Sequence, residues 1–117
     1  MTRRRYLAGL ALLAAVIVGG AQAQPYPTGP IRMVVPFPAG GGVDNMGRIV
    51  AHKLTEALGK QVIVENRGGA NGMVGSELVA KAPKDGYTLM VNGANFVTTP
   101  SLYRKVTYDP LREFDPV

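Results

Sequence analysis

The chain has 117 residues, 46% of them hydrophobic, and carries 13 Lys+Arg against 8 Asp+Glu, a formal net charge of +5. That length sets a ceiling of one ordinary domain. There is no cysteine, which excludes a disulfide framework, a cysteine nucleophile, an iron–sulfur cluster and a lipid-modified N-terminal cysteine.

Arg3, Arg4 and Arg5 stand ahead of an uncharged apolar run over residues 7–20, which ends in Ala21-Gln22-Ala23. A basic start, an apolar middle and a small-x-small site read as a secretory signal peptide over residues 1–23, cut after Ala23. The apolar run is shorter than the roughly 20 residues that a permanent membrane span needs. Adjacent arginines suit both the general and the twin-arginine export routes. Cleavage leaves residues 24–117 with ten basic and eight acidic side chains, a net charge of +2. The basic character therefore belongs mostly to the leader, and no basic stripe with interleaved aromatics remains to bind nucleic acid. The expected location of the product is the periplasm.

Residues 24–30 hold three prolines and a glycine and are expected to form an extended lead-in. Ile31-Arg32-Met33-Val34-Val35, bounded by Pro30 and Pro36, reads as a buried strand. Two prolines and three consecutive glycines follow. Residues 44–58 turn helical, with Met46, Ile49, Val50, Leu54, Ala57 and Leu58 on an apolar face and Arg48, His52 and Glu56 on a polar one. Asp44 stands where an N-cap belongs and Gly59 where a C-terminal glycine does. Residues 61–65 read as a second strand, 66–72 as a glycine-rich loop, and 73–82 as a second helix with Val74, Leu78 and Ala82 inward. After a turn at Pro83-Lys84-Asp85-Gly86, residues 87–91 read as a third strand and 92–99 as a polar loop. Pro100 is expected to open a short helical turn, and residues 103–117 to be irregular.

The order β-α-β-α-β argues for an α/β fold with a parallel sheet and right-handed crossovers. If the second helix crosses to the far side of the first strand, the strand order becomes 2-1-3. The crevice at that reversal is where open α/β sheets bind ligands. Its walls are then residues 37–44 and 92–99. Gly40, Gly41 and Gly42 let backbone N–H groups approach a ligand closely, and they lead into a helix N-terminus that favours an anion. The same three glycines also suit a plain strand-to-helix turn. They match neither a dinucleotide fingerprint nor a P-loop. Asp44 suits N-capping better than contact with an anion. Phe37 suits either a ligand flank or the core, and Asn92, Asn95, Thr98 and Thr99 suit either polar recognition or ordinary loop formation.

Catalytic machinery is sparse. The single histidine, His52, lies on the polar helix face, and no metal-ligand spacing or nucleophile–base pair stands out. No catalytic residue, metal or cofactor is assigned. The pattern favours a binder, with an exported α/β enzyme acting on a small anionic substrate, or a fragment without function, as the competing readings.

Several segments carry a family resemblance. Tyr26-Pro27, Pro30-Ile31-Arg32 and the run from Val34-Val35-Pro36-Phe37-Pro38-Ala39 through Gly40-Gly41-Gly42-Val43-Asp44 resemble the start of the Bug-type solute-binding receptors of tripartite tricarboxylate transporters. The likeness continues in Val64-Glu65-Asn66-Arg67, Gly69, Gly72, Gly75, Ala80-Lys81-Ala82, Asp85-Gly86-Tyr87-Thr88-Leu89, Pro100-Ser101-Leu102-Tyr103, Tyr108-Asp109-Pro110 and Phe114-Asp115-Pro116-Val117. The resemblance implies a two-lobed, type II-like periplasmic binding fold whose cleft closes on a small organic acid, monomeric when complete and serving membrane transport subunits. Residues 24–117 would then be the N-terminal part of the first lobe, truncated, with the end of that lobe and all of the second lobe outside the chain. It further implies ligand contacts, largely through backbone groups and bridging waters, at Phe37, Ala39, Gly40, Gly41, Gly42 and Asp44 and in the loop holding Asn92, Asn95 and Thr98. That second loop departs from the common family pattern, because Asn95 replaces a usual threonine and Phe96 adds bulk.

Overall fold

The computed structural model describes residues 23–117; the expected signal peptide, residues 1–22 of it, lies outside the described residues. Residues 31–35 form the central strand β1 (Ile31–Val35), as their β-branched character predicts. Ile31, Met33, Val34 and Val35 are all buried, so this strand is covered on both faces. Parallel neighbours flank it, β2 (Val62–Asn66) on one side and β3 (Thr88–Met90) on the other, giving the order β2-β1-β3. The register sets Met33 opposite Val64 and Leu89. The expected order 2-1-3 is thus the observed one, and the strands differ from expectation only at their ends.

Helix α1 (Gly42–Leu58) connects β1 to β2, and α2 (Met73–Ala80) connects β2 to β3. Alternation along β1 sends Ile31 and Met33 to the side of Ala51, Val50, Leu54 and Leu58 on α1, and Val34 to the opposite side. Gly59 closes α1 as expected, in the left-handed region at φ 65°, donating its N–H to the Thr55 carbonyl at 3.0 Å.

The buried helix stripes match the predicted ones only in part: Val50, Leu54 and Leu58 pack against the core as expected, but the most deeply buried positions are others. On α1 the fully buried residues are Asp44, Gly47 and Ala51, while Met46 and Ile49 are 56% and 61% exposed. On α2 they are Gly75 and Ser76, and Val74 is 49% exposed. Close approach explains both departures. A Cβ built on Gly47 would lie 2.8 Å from Val35 Cγ2, and one on Gly75 only 2.6 Å from Pro36 Cβ and 2.8 Å from the Arg67 carbonyl oxygen. The smallest residues therefore choose the line of contact, and the larger apolar side chains flank it.

The predicted polar loop over residues 92–99 is mostly helix, α3 (Asn95–Leu102), and Pro100 sits inside it rather than at its start. Proline has no N–H to give the carbonyl four residues earlier. That carbonyl, on Phe96, accepts instead from the Tyr108 hydroxyl at 2.8 Å. The Tyr108 ring stacks on Phe96 at 5.2 Å, and Phe114 meets Phe96 edge-on at 4.9 Å. The irregular tail thus completes α3 through a side chain.

These contacts give a clean comparison of two glycines on one chain. Gly75→Ala should destabilise by about 1–3 kcal/mol through overpacking against Pro36. Gly42→Ala, whose Cβ meets nothing within 4 Å, should be neutral or mildly stabilising. Denaturant midpoints of the two variants check this.

Candidate functional site

In a parallel sheet every strand ends on the same edge, so three loops meet there. Residues 36–41 leave β1, residues 67–72 leave β2, and residues 91–94 leave β3. Their contact is close at Gly72, where an added Cβ would stand 3.1 Å from Asn95 Nδ2 and 3.5 Å from the tip of Phe37. Gly93 lies beside Val43, at 3.7 Å on the same measure, which brings the third loop to the first turn of α1.

The first loop owes its course to Asp44. Gly41 is the N-cap of α1 in extended backbone, and no side chain caps the helix. Asp44 is therefore not the predicted cap. It lies in the first turn, 1% exposed, and its carboxylate receives three donors from different places. The Gly40 N–H donates to Oδ2 at 2.8 Å, Arg48 Nε to the same oxygen at 3.0 Å, and Asn66 Nδ2 to Oδ1 at 2.8 Å. The Arg48 guanidinium, the Gly40 amide and the Asn66 amide, in that order, hold the carboxyl well below its ordinary 3.8, at about 2, against the opposing effect of burial. Gly40 can follow this course because it is glycine, at φ 89°.

The predicted site residues consequently divide. Ala39, Gly41 and Gly42 are exposed on the loop, and the N–H groups of Gly42 and Val43 in the first turn have no side-chain acceptor. Phe37 is half-buried between this loop and Gly72. Gly40 spends its N–H on Asp44, and Asp44 is turned inward. Asn95 reaches across to the second loop, donating to the Asn71 carbonyl at 2.9 Å. Asn92 donates to the buried Ser76 hydroxyl at 3.2 Å and accepts the Gly93 N–H at 2.8 Å, so it organises the loop beneath. Thr98 bonds back along α3 to the Ala94 carbonyl at 3.3 Å.

Sequence reasoning missed two residues here. Asn71, in the left-handed region at φ 54°, donates to the buried Thr99 hydroxyl at 3.1 Å and so links the second and third loops. Asn66 links the first and second. Both stood in a stretch whose glycines read only as flexibility; an asparagine among glycines, a residue that tolerates left-handed backbone, was the available signal at Asn71.

Two grooves mark the surface, the second of them reaching Asn92 and Gly93 of the third loop. One groove of about 550 Å³ runs along α1 and β2 past Arg48, His52 and Glu56, and another of about 680 Å³ lies between β3, α2 and the tail. His52 is exposed and pairs with Glu56 at 3.4 Å. No group of three or more His, Asp or Glu side chains able to hold a metal ion occurs among the described residues.

A parallel sheet with its switch point beside an uncapped helix N-terminus is an arrangement at which open α/β folds bind ligands. The sequence pattern of the tripartite tricarboxylate transporter family receptor matches residues 46–117, and the chain belongs to that family. A curated relative from Pseudomonas sp. strain P51, a UPF0065 protein in the tcbD-tcbE intergenic region, is 47% identical over 98% of this chain and 34% of its own length. Among solved structures, the periplasmic binding protein BugD aligns with a TM-score of 0.75 at 47% identity, over 78% of this chain and 30% of that one. MatC from Rhodopseudomonas palustris with bound malate aligns with a TM-score of 0.70 at 34% identity, over 79% of this chain and 32% of that one. The chain spans about a third of the length of the curated relatives it matches.

The three-donor clamp makes its own prediction. Asp44→Asn should lower the denaturation midpoint nearly as much as Asp44→Ala, because an amide NH₂ set among three donors must face one of them. A true N-cap would tolerate asparagine, so a fully stable Asn variant would restore the capping role. With a folded-state pKa of about 2 below an ordinary 3.8, ionised Asp44 stabilises the fold above about pH 4. That contribution fades as pH falls towards 2, and a pH series of midpoints should show a shallower slope in that window for Asp44→Ala.

Proposed function

We propose that the full-length protein is a periplasmic receptor that captures a small carboxylate metabolite and delivers it to the membrane subunits of a tripartite transporter. The observation that carries this reading is the uncapped N-terminus of α1 at the sheet's switch point, with exposed glycines ahead of it. First-turn N–H groups and the helix dipole together favour an anion, and a carboxylate matches them without any lysine or arginine in the loop. Family membership and the malate held by MatC support the ligand class.

In this reading the amides of Gly41, Gly42 and Val43 receive one carboxylate, Ala39 lines the approach, and Phe37 and Asn95 form the adjacent wall. Asn92, Thr98, Gly40 and Asp44 shape the loops instead of touching the ligand. The protein binds and releases its ligand unchanged, and His52 is an exposed residue of α1 paired with the surface Glu56. An export signal over residues 1–23 and a second lobe closing the cleft belong to the same proposal.

Calorimetric titration of the full-length protein with malate and other di- and tricarboxylates, with turnover assayed alongside, should show saturable binding and no product. Gly41→Val isolates the loop. Gly41 has φ −81° and ψ 173°, a conformation that a β-branched residue adopts freely, and its Cβ would meet only the Pro38 carbonyl oxygen at 3.8 Å. Folding should lose no more than the N-cap preference for glycine over valine, about 1 kcal/mol, while affinity falls by about tenfold or more, the loss expected when backbone donors to a charged group are blocked. Wild-type affinity in this variant, or conversion of the ligand, would contradict the proposal.

A further inference from the structure

We infer that Asn66, at the carboxyl end of β2, is the positioning residue that lets the loop ahead of α1 accept an anion although Asp44 stands in the same turn. The inference rests on the carboxylate-receptor reading above. Its starting point is an electrostatic conflict: a carboxylate in the first turn repels the very ligand that the neighbouring N–H groups attract.

Asn66 removes that conflict in two ways. Its Nδ2 donates both to the Phe37 carbonyl at 3.1 Å and to Asp44 Oδ1 at 2.8 Å, so a single amide fastens the end of β1 to the first turn of α1. Its Oδ1 accepts from Arg48 Nη2 at 3.2 Å, which holds that guanidinium where its Nε meets Asp44 Oδ2 at 3.0 Å. The carboxylate is thereby oriented inward and its charge answered on both oxygens. Drawing in the Gly40 N–H sets the course of the loop, and the amides of Gly42 and Val43 are left without a side-chain acceptor.

This task requires a side chain that donates and accepts at short reach. Asparagine does both, aspartate only accepts, and alanine does neither. The charged groups around Asp44 are few. Arg48 lies on its own helix, and on β2 the residue next to Asn66 is Glu65, which is already paired with Arg32 and Arg67. A second carboxylate at position 66 would therefore confront Asp44 with Arg48 as the one cation in contact with both.

The test is Asn66→Asp in the full-length receptor, titrated with malate near pH 7 and again near pH 5, both well below its melting temperature. Affinity should fall by about tenfold or more near pH 7 and recover partly near pH 5, as the carboxylate pair takes up a shared proton. Asn66→Ala should weaken binding with no such pH dependence, and in both variants the Gly40 amide should lose its protection from hydrogen exchange. A residue with a merely structural role would lower the melting temperature and leave affinity and its pH profile unchanged. That result, with malate binding intact in the wild type, overturns the positioning role alone. Failure of the wild type to bind any carboxylate overturns the receptor reading and this inference with it. If Asn66→Asp does not fold, Asn66→Ala decides: wild-type affinity there overturns the inference.

Discussion

The site depends on one buried carboxylate. Asp44 draws a loop amide, a helix guanidinium and a strand-end amide to a single point, the first two from four residues either side of it and the third from 22 residues further along the chain. Without it the exit of β1, the start of α1 and the end of β2 would be tied together only through the bonds of Asn66 to Phe37 and Arg48. Burial of an ionised group is expensive unless its hydrogen bonds are made, and here each oxygen has a donor. The same bonds that satisfy the charge also fix the course of the glycine loop, so stability and loop geometry share one cause.

Close packing is the second constraint. Gly47 allows α1 to approach Val35 of the central strand, and Gly75 allows α2 to approach Pro36 just beyond it, to distances that a Cβ would not fit. With the helices this near, their N-termini and the loops around them converge at one edge of the sheet instead of splaying. Larger apolar residues on the same helices then fall outside the contact line, which leaves Met46, Ile49 and Val74 on the surface. Behind the third loop a different device operates. Pro100 would leave a carbonyl without its donor, and the Tyr108 hydroxyl supplies one while its ring packs on Phe96.

Below the loops runs a chain of small polar side chains. Ser76 and Thr99 are fully buried, and each is met by an asparagine from a loop, Asn92 and Asn71 respectively. Buried hydroxyls placed this way hold loop backbones in register without adding charge near the amides of α1. This floor is neutral, so it would not oppose the proposed attraction of the α1 backbone dipoles for an anion.

Much of the architecture was legible in the sequence alone. The apolar run 31–35, the glycine after residue 58 and the alternation of strand and helix patterns marked most of the elements, and the order 2-1-3, which the sequence offered only on condition that the second helix crosses over β1, is the one the structure has. These features are local, or follow from chain chirality, so they need no knowledge of distant partners. Motifs along residues 34–117 likewise sufficed for the family. Three things were decided only in the tertiary structure. The inward stripes of α1 and α2 were set by which small residues could come closest to β1, the helix at 95–102 by a tyrosine beyond its end, and the role of Asp44 by Asn66. Each depends on an atom contributed from elsewhere in the chain, and hydrophobic periodicity records only what a segment would do by itself.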